Sequence, residues 1–332
     1  MIKFLNNDLD DIKDIIVLTS NKLNIPEVII EKDLWVSFIL DFLFTKSNYK
    51  NYFQFKGGTS LSKGFNLINR FSEDIDIVLN AEAINANLDD LYKLSKNKRN
   101  HEINIINEKA LLFYETKLIV EMDNYFKNSI NKQIDIKLIK EELAIYVSYP
   151  SSFNDFYINN EVKIEIGPIS AWLPNKELML DSYISKEYPN LFENGTYLTL
   201  VTEPIRTFYE KLIILHKEAH REGNYPIRYS RHYYDAYKMF INYFNEKIII
   251  DKKLLEEVRV FHEIFYYRKW ASFETATIGS FKLIPNEDYL EKLEEDYELM
   301  KNMIYGIDKT ITFNEIIEVV RKIEHELNQN NL

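Results

Sequence analysis

The sequence predicts an α+β fold, with a mixed β-sheet in the front part of the chain and a helical C-terminal half. Short apolar or alternating runs typical of strands occur in the front part, at 52–56, 75–79, 134–138, 144–149 and 162–166. After residue 202 apolar residues recur at helical spacing, over 203–221, 229–245, 252–267, 288–305 and 314–327. Because this change of pattern falls near residue 200, we expect two domains, 1–200 and 201–332. No repeat or linker-like composition marks the boundary.

Helices are also expected around the front strands. Residues 8–46 and 82–130 have helical apolar spacing, and 60–68 carries a shorter segment of the same kind. At the start of the last helix, Thr312 and Glu315 have the spacing of a capping box. The front part is therefore predicted to combine strands with helices.

The composition excludes several classes of protein. The chain has 332 residues, 46% of them hydrophobic, and no cysteine, so disulfides and cysteine-ligated zinc are ruled out. Charged residues follow the N-terminus too early for a signal peptide, and no apolar run approaches the roughly 20 residues that span a bilayer. We expect a cytoplasmic protein with no membrane partner.

The net charge of −11 is the wrong sign for a protein that coats nucleic acid without specificity. An RNA partner would have to meet a local basic patch or be held through metal-bridged phosphates. The overall charge therefore argues mildly against RNA.

A glycine turn follows the first predicted strand, in Lys56-Gly57-Gly58-Thr59-Ser60. Glycine lets backbone N–H groups approach an anion closely, and the helix expected next adds free donors and a favourable dipole. The hydroxyl of Thr59 or Ser60 could bond a phosphate oxygen. An ordinary strand-to-helix turn is the alternative, and the spacing of a Walker loop is absent.

Two alternating carboxylates, Asp74 and Asp76, follow this turn on the predicted strand 75–79. Residues i and i+2 of a strand project to one face, where two carboxylates repel unless a cation is bound. Mg²⁺ takes one or two carboxylates together with phosphate oxygens and water. We predict that Asp74 and Asp76 bind Mg²⁺ (or Mn²⁺) and that an NTP lies on Gly57–Ser60 and Ser72. The two motifs together indicate nucleotidyl transfer.

A third carboxylate is expected on a neighbouring strand, where it would complete a two-metal site or help to deprotonate the attacking hydroxyl. Glu165 is the first candidate and Asp135 its rival. Glu165 shares its face with Lys163, so a solvent-facing Lys/Glu alternation is an equal alternative.

The helical half offers Lys211, Arg231 and Asp235. A lysine or arginine can neutralise charge that develops on a transferred phosphate. Lys211 could equally be a solvated helix lysine, and Arg231 and Asp235 could pair with each other at i,i+4. The histidines at 216 and 220 do not fit a zinc protease, because the intervening glutamate is in the wrong position.

These residues resemble the AbiEii/AbiGii nucleotidyltransferase toxins, which include the MenT enzymes, within the DNA polymerase beta-like superfamily. The most specific stretches are Lys56-Gly57-Gly58-Thr59-Ser60-Leu61 and Arg70-Phe71-Ser72-Glu73-Asp74-Ile75-Asp76. Further matching stretches are Glu31-Lys32-Asp33-Leu34-Trp35, Lys163-Ile164-Glu165-Ile166-Gly167, Glu210-Lys211-Leu212 and Arg231-His232-Tyr233-Tyr234-Asp235. Looser C-terminal matches extend the resemblance over nearly the whole chain.

The resemblance implies a polymerase beta-like nucleotidyltransferase core whose active-site cleft is closed by the helical domain. It also implies the toxin of a type IV, abortive-infection toxin–antitoxin pair with an AbiEi-like antitoxin. Such a toxin would transfer NMP from an NTP to RNA, at the 3′ end of tRNA. Asp74 and Asp76 would be the metal ligands, Gly58 and Ser60 would hold the triphosphate, and Lys211 and Asp235 would be further essential residues. Two alternatives stay open: a protein or small-molecule acceptor at the same site, and an NTP-binding protein without catalysis.

Overall fold

The computed structural model describes residues 1–72, 74–153 and 159–329. Glu73, which belongs to the Asp74–Asp76 motif, therefore lies outside the described residues. The chain divides into two compact units. The first unit contains Met1–Gly64 and Ser72–Thr202, and the second contains Phe65–Phe71 and Glu203–Leu332.

The first unit is built on a seven-stranded mixed sheet. The strands are β1 (Phe53–Lys56), β2 (Asp74–Leu79), β3 (Asp135–Ile139), β4 (Ala144–Ser148), β5 (Glu161–Gly167), β6 (Asn175–Asp181) and β7 (Thr196–Thr202), in the order β3-β4-β5-β2-β1-β7-β6. β2 pairs with β5 and β1 with β7 in parallel, whereas the other pairs are antiparallel. The predicted α+β class with a mixed sheet is confirmed.

Two of these strands, β6 and β7, are absent from the expectations drawn from the sequence. In β7 the buried side chains Tyr197, Thr199 and Val201 alternate with more exposed ones, which is a detectable strand signal. β6 lies at the sheet edge and exposes most of its side chains, so its pattern is weak.

The first unit also contains helices. They are α1 (Ile2–Leu5), α2 (Leu9–Leu23), α3 (Glu27–Asp41), α4 (Gly57–Thr59), α5 (Lys96–Phe113), α6 (Ile119–Ser129) and α7 (Tyr183–Glu187). α3 is buried over almost its whole length, including Glu31, Lys32 and Asp33. Lys63 donates to Asp33 at 2.6 Å, which partners one of these buried charges. No helix among the described residues is long and apolar enough to cross a bilayer.

The second unit is helical. Its helices are α8 (Pro204–Ala219), α9 (Ser230–Asn242), α10 (Lys252–Phe265), α11 (Glu287–Met300) and α12 (Phe313–Gln329). The capping box predicted before the last helix is present, because Thr312 and Glu315 exchange backbone and side-chain hydrogen bonds.

The helix expected over 60–68 is shorter than predicted. The helical segment spans 57–64, and the chain then leaves helical geometry at Asn66, whose φ is +52°. Asn242 donates to the carbonyl of Leu67 at 2.8 Å. Leu67 and Ile68 are buried in the second unit rather than on a continued helix. Tertiary packing thus overrides the local helical spacing.

Candidate active site

At the glycine turn, the backbone of Gly57 lies close to the carboxylate of Asp76. β1 ends at Lys56, and Gly57 begins the helical segment 57–64 with φ of +78°. A Cβ atom on Gly57 would overlap the carboxylate of Asp76. Position 57 therefore requires glycine for two reasons: its backbone conformation and the close approach of the Asp76 carboxylate.

Two hydroxyl groups stabilise this turn from within. Thr59 Oγ1 donates to the carbonyl of Asp74, and Ser60 Oγ donates to the carbonyl of Gly57 at 2.8 Å. The carbonyl of Ser72 lies 3.4 Å from the Thr59 hydroxyl. Thr59 thus ties the turn to the first residue of β2, and the predicted nucleotide-binding residues Gly57, Thr59, Ser60 and Ser72 are brought together.

The two predicted metal ligands lie on β2. Asp74 and Asp76 are half-buried, whereas Ile75 and Ile77 between and after them are fully buried. The alternation places both carboxylates on one face of the sheet, as predicted. Asp76 pairs in register with Lys56 of β1 on one side and with Glu165 of β5 on the other. The carboxylate face therefore adjoins the glycine turn.

Glu165 lies beside Asp76 in the sheet, but its carboxylate forms an ion pair with Lys163, at 2.6 Å. Lys163 also contacts Glu142 at 2.8 Å. Burial opposes the positive charge of Lys163, but the two glutamates raise its pKa above the ordinary lysine value. The rival Asp135 is exposed on the edge strand β3, which β4 and β5 separate from β2. The structure thus places Glu165, and not Asp135, next to Asp76.

Asp74 and Asp76 fit a magnesium ion by their chemistry. Two carboxylates on one half-buried face supply the protein ligands that Mg²⁺ takes when it also binds substrate phosphates and water. Within the described residues, no group of three or more His, Asp and Glu side chains is arranged to hold a metal by itself. Two carboxylates leave the remaining positions of a magnesium ion to phosphate oxygens and water.

A second group of predicted residues forms a buried cluster in the helical unit. Lys211 on α8 contacts Asp235 on α9 at 2.8 Å, and Arg70 binds the same carboxylate through Nε at 2.7 Å and Nη2 at 2.8 Å. Asp235 is completely buried. Two cations around one buried carboxylate stabilise it in the charged form.

The electrostatics of this cluster follow from its burial. Burial disfavours the charged form of Asp235, but Arg70 and Lys211 overcome this and hold its pKa below the usual range. Burial is also the main cause that lowers the pKa of Lys211, with Asp235 opposing it. His232 Nδ1 lies 3.1 Å from Lys211 Nζ, and burial followed by Lys211 lowers the pKa of His232 well below its usual value. His232 is therefore a neutral neighbour of the lysine.

The interpretation of Lys211 as a solvated lysine is wrong, since its side chain is only 10% exposed. Arg231 is half-buried on α9, and among the described residues it forms no ion pair with Asp235. Arg70 and His232 also belong to this cluster, although the sequence did not mark them as site residues. Both stand inside motifs quoted for the resemblance, and a buried arginine needs a carboxylate partner.

The position of His216 agrees with the rejection of a zinc site at residues 216 and 220. Its ring is buried and accepts from the backbone N–H of Lys282 at Nδ1, while Nε2 lies 3.0 Å from the carbonyl of Ser272. His220 Nδ1 bonds the carbonyl of His216. These ring nitrogens are used in helix and loop packing.

A mixed sheet that carries alternating carboxylates beside a glycine turn is typical of nucleotidyltransferases, and the family match identifies the chain as a member of this enzyme class. More specifically, the chain belongs to the AbiEii family, whose model, described as the nucleotidyl transferase AbiEii toxin of type IV toxin–antitoxin systems, matches residues 41–319. The enzyme class and the toxin family predicted from the motifs are thereby confirmed.

Solved structures similar to this chain include a toxin of the same enzyme class. It is MenT4, the nucleotidyltransferase toxin Rv2826c from Mycobacterium tuberculosis H37Rv, at 15% identity and a TM-score of 0.45. The match covers 94% of this chain and 98% of that chain. No curated protein sequence matches the chain.

Proposed function

We propose that the protein transfers NMP from an NTP to the 3′ end of tRNA, in a Mg²⁺-dependent reaction in the cytoplasm, as the toxin of a pair with an AbiEi-like antitoxin. The observation that carries the chemistry is the contact between Gly57 and Asp76. It places backbone N–H groups that can bind phosphates next to the carboxylates that can bind the metal ion of those phosphates. The RNA acceptor and the antitoxin are supported by the family alone.

The residues of the first unit would act in order along the nucleotide. Backbone N–H groups of Gly57 and Gly58 would bind phosphate oxygens, and Thr59 would keep the turn against β2. Asp74 and Asp76 would hold Mg²⁺, which when bound offsets negative charge on the phosphates. Glu165 would accept the proton of the attacking hydroxyl, and pyrophosphate would leave.

Three residues of the second unit would also be required for nucleotide transfer. We propose Lys211 and Arg231 as the cations that favour transfer, and Asp235 as the residue that positions Lys211 through their 2.8 Å contact. An Asp235→Asn variant would weaken this hold on Lys211 while it preserves the shape of the side chain.

The test is incubation of the full chain with each of the four labelled NTPs, total tRNA and Mg²⁺. We expect label on tRNA with at least one NTP, loss of label with EDTA, and loss in Asp76→Asn. Asp135→Asn is the matched control, because this aspartate is exposed at the far edge of the sheet. Label on protein that survives ribonuclease, or undiminished transfer by Asp76→Asn, would contradict the proposal.

A further inference from the structure

The second unit carries a basic and aromatic surface that the overall charge of the chain conceals. Residues 217–229 and 266–270 carry five lysines and arginines against two glutamates, although the chain as a whole has a charge of −11. These two stretches cover the end of α8, the loop after it and the segment that follows α10.

Aromatic rings lie on these cations. The guanidinium of Arg221 is 4.3 Å from the ring centroid of Trp270, and Lys217 lies 5.5 Å from the ring centroid of Tyr229. Trp270 is 38% exposed, and it ends a run of five exposed residues that starts at Tyr266 and includes Arg268 and Lys269. We call the residues 217–229 and 266–270 the basic aromatic surface.

A buried carboxylate organises this surface. Glu218 contacts Lys217 at 3.0 Å and Arg221 at 2.5 Å, and it accepts a hydrogen bond from Tyr289 at 3.0 Å. Burial disfavours the charge of Glu218, but Arg221 and Lys217 lower its pKa below the usual value. Tyr225 in turn stacks on Tyr289, with ring centroids 4.1 Å apart. Glu218 and Tyr289 therefore hold Lys217, Arg221 and Tyr225 in place.

The surface is continuous with the buried cluster. Tyr229, which lies under Lys217, contacts His232 with ring centroids 5.0 Å apart. His232 lies 3.1 Å from Lys211. A line of contacts within the second unit thus leads from the exposed rings to the lysine that we propose to be required for transfer.

We infer that the basic aromatic surface binds the single-stranded end of the RNA acceptor. Cations interleaved with aromatic rings bind single strands, because phosphates meet the cations and bases stack on the rings. A local excess of positive charge on an acidic chain also favours a polyanion at this surface over the rest of the molecule. The inference rests on the proposed function, since it gives the RNA acceptor of that reaction its binding surface.

The first measurement is equilibrium binding of a 5′-labelled single-stranded RNA, and of total tRNA, to the full chain without NTP. Base stacking on an aromatic side chain predicts that Trp270→Ala weakens binding about tenfold or more. Trp270→Phe keeps a ring and should stay within about threefold of wild type. Tyr243→Ala, at a ring that is 36% exposed elsewhere in this unit, is the matched control.

The second measurement separates a phosphate contact from a general structural effect. Lys269→Ala should lower the slope of log affinity against log salt by about 0.7, the value for one phosphate contact on a single strand. Lys253→Ala should leave the slope unchanged, because this lysine is 89% exposed on α10, outside the surface. A structural defect would weaken binding without this change of slope.

The outcomes distinguish the surface from the reaction. If Trp270→Ala and Lys269→Ala bind RNA normally while the wild type transfers nucleotide to tRNA, the basic aromatic surface is not the RNA-binding site. The proposed function would then still stand. The same would hold if the surface bound only a protein partner. RNA binding that depends on Trp270 in a protein that transfers nothing would support the surface and overturn the proposed function.

Discussion

Arg70 donates two hydrogen bonds to the carboxylate of Asp235, although 165 residues separate them in the chain. Both side chains are buried, and Arg70 belongs to the short segment Phe65–Phe71 that is part of the helical unit. The same segment bonds to the second unit through its backbone, since the N–H of Phe71 donates to the carbonyl of Met303 at 2.7 Å. The segment Phe65–Phe71, which connects the glycine turn to β2 in the chain, thus belongs to the second unit.

Replacement of Arg70 by methionine should destabilise the protein strongly. It leaves the buried Asp235 with one cation in place of two, and breaking a buried pair costs about 3–5 kcal/mol. The free energy of unfolding in urea measures this loss. Lys292→Met is the control, because both members of its ion pair with Glu295 are exposed, and we expect a much smaller loss. Equal losses in the two variants would contradict the prediction.

Gly57→Ala should impair transfer more than it impairs folding. The φ of +78° alone costs an alanine about 1–2 kcal/mol, and the added Cβ also displaces the carboxylate of Asp76. We expect transfer to fall by about two orders of magnitude, since a small misplacement of a reacting group can cost that much. Gly306→Ala is matched, because Gly306 has φ of +66° and open space around a Cβ. Its transfer rate should equal that of wild type at a similar loss of stability.

Glu165→Gln should lower the rate of transfer about 100-fold or more, which is the usual contribution of a positioned general base. Glu142→Gln is the matched control, because it also removes a carboxylate partner of Lys163 but does not lie beside Asp76. The measurement is kcat with saturating NTP and tRNA. If both variants slow transfer equally, the effect belongs to the charge of Lys163 and Glu165 is not the base.

His216 should make stability depend on pH in a defined window. Burial lowers its pKa in the folded protein to about 4, from 6.5 in the unfolded chain. Folding therefore favours the neutral ring. This stabilisation is fully present above pH 6.5 and is lost as the pH falls toward 4, by up to about 3 kcal/mol.

The measurement is the free energy of unfolding at several pH values across that window. His216→Gln should flatten the change relative to wild type. His220→Gln, at a half-buried ring one turn further on, should follow the wild-type profile. A His216→Gln profile parallel to wild type would contradict the prediction.

Much of the first unit could be predicted because its signals are local. Alternation placed Asp74 and Asp76 on one face of a strand, and the glycines marked the turn before it. The helices of the second unit also followed from apolar spacing within a few residues of their observed ends. The helix over 60–68 was overextended because its apolar residues Leu67 and Ile68 pack in the other unit, which no local spacing can show.

By itself, the sequence determined five of the seven strands of the sheet, the helices of the second unit, the nucleotidyltransferase motifs and the family, because each depends on residues close together in the chain. Only the tertiary structure decided which charges meet. The sequence could offer Arg231 as the i,i+4 partner of Asp235, but the fold gives that carboxylate to Arg70 and Lys211. The fold likewise places the Trp270 ring against Arg221, so that charges and rings from separate segments form one surface. The physical reason is that a buried charge is stabilised by whichever opposite charge the packing of distant segments brings to it.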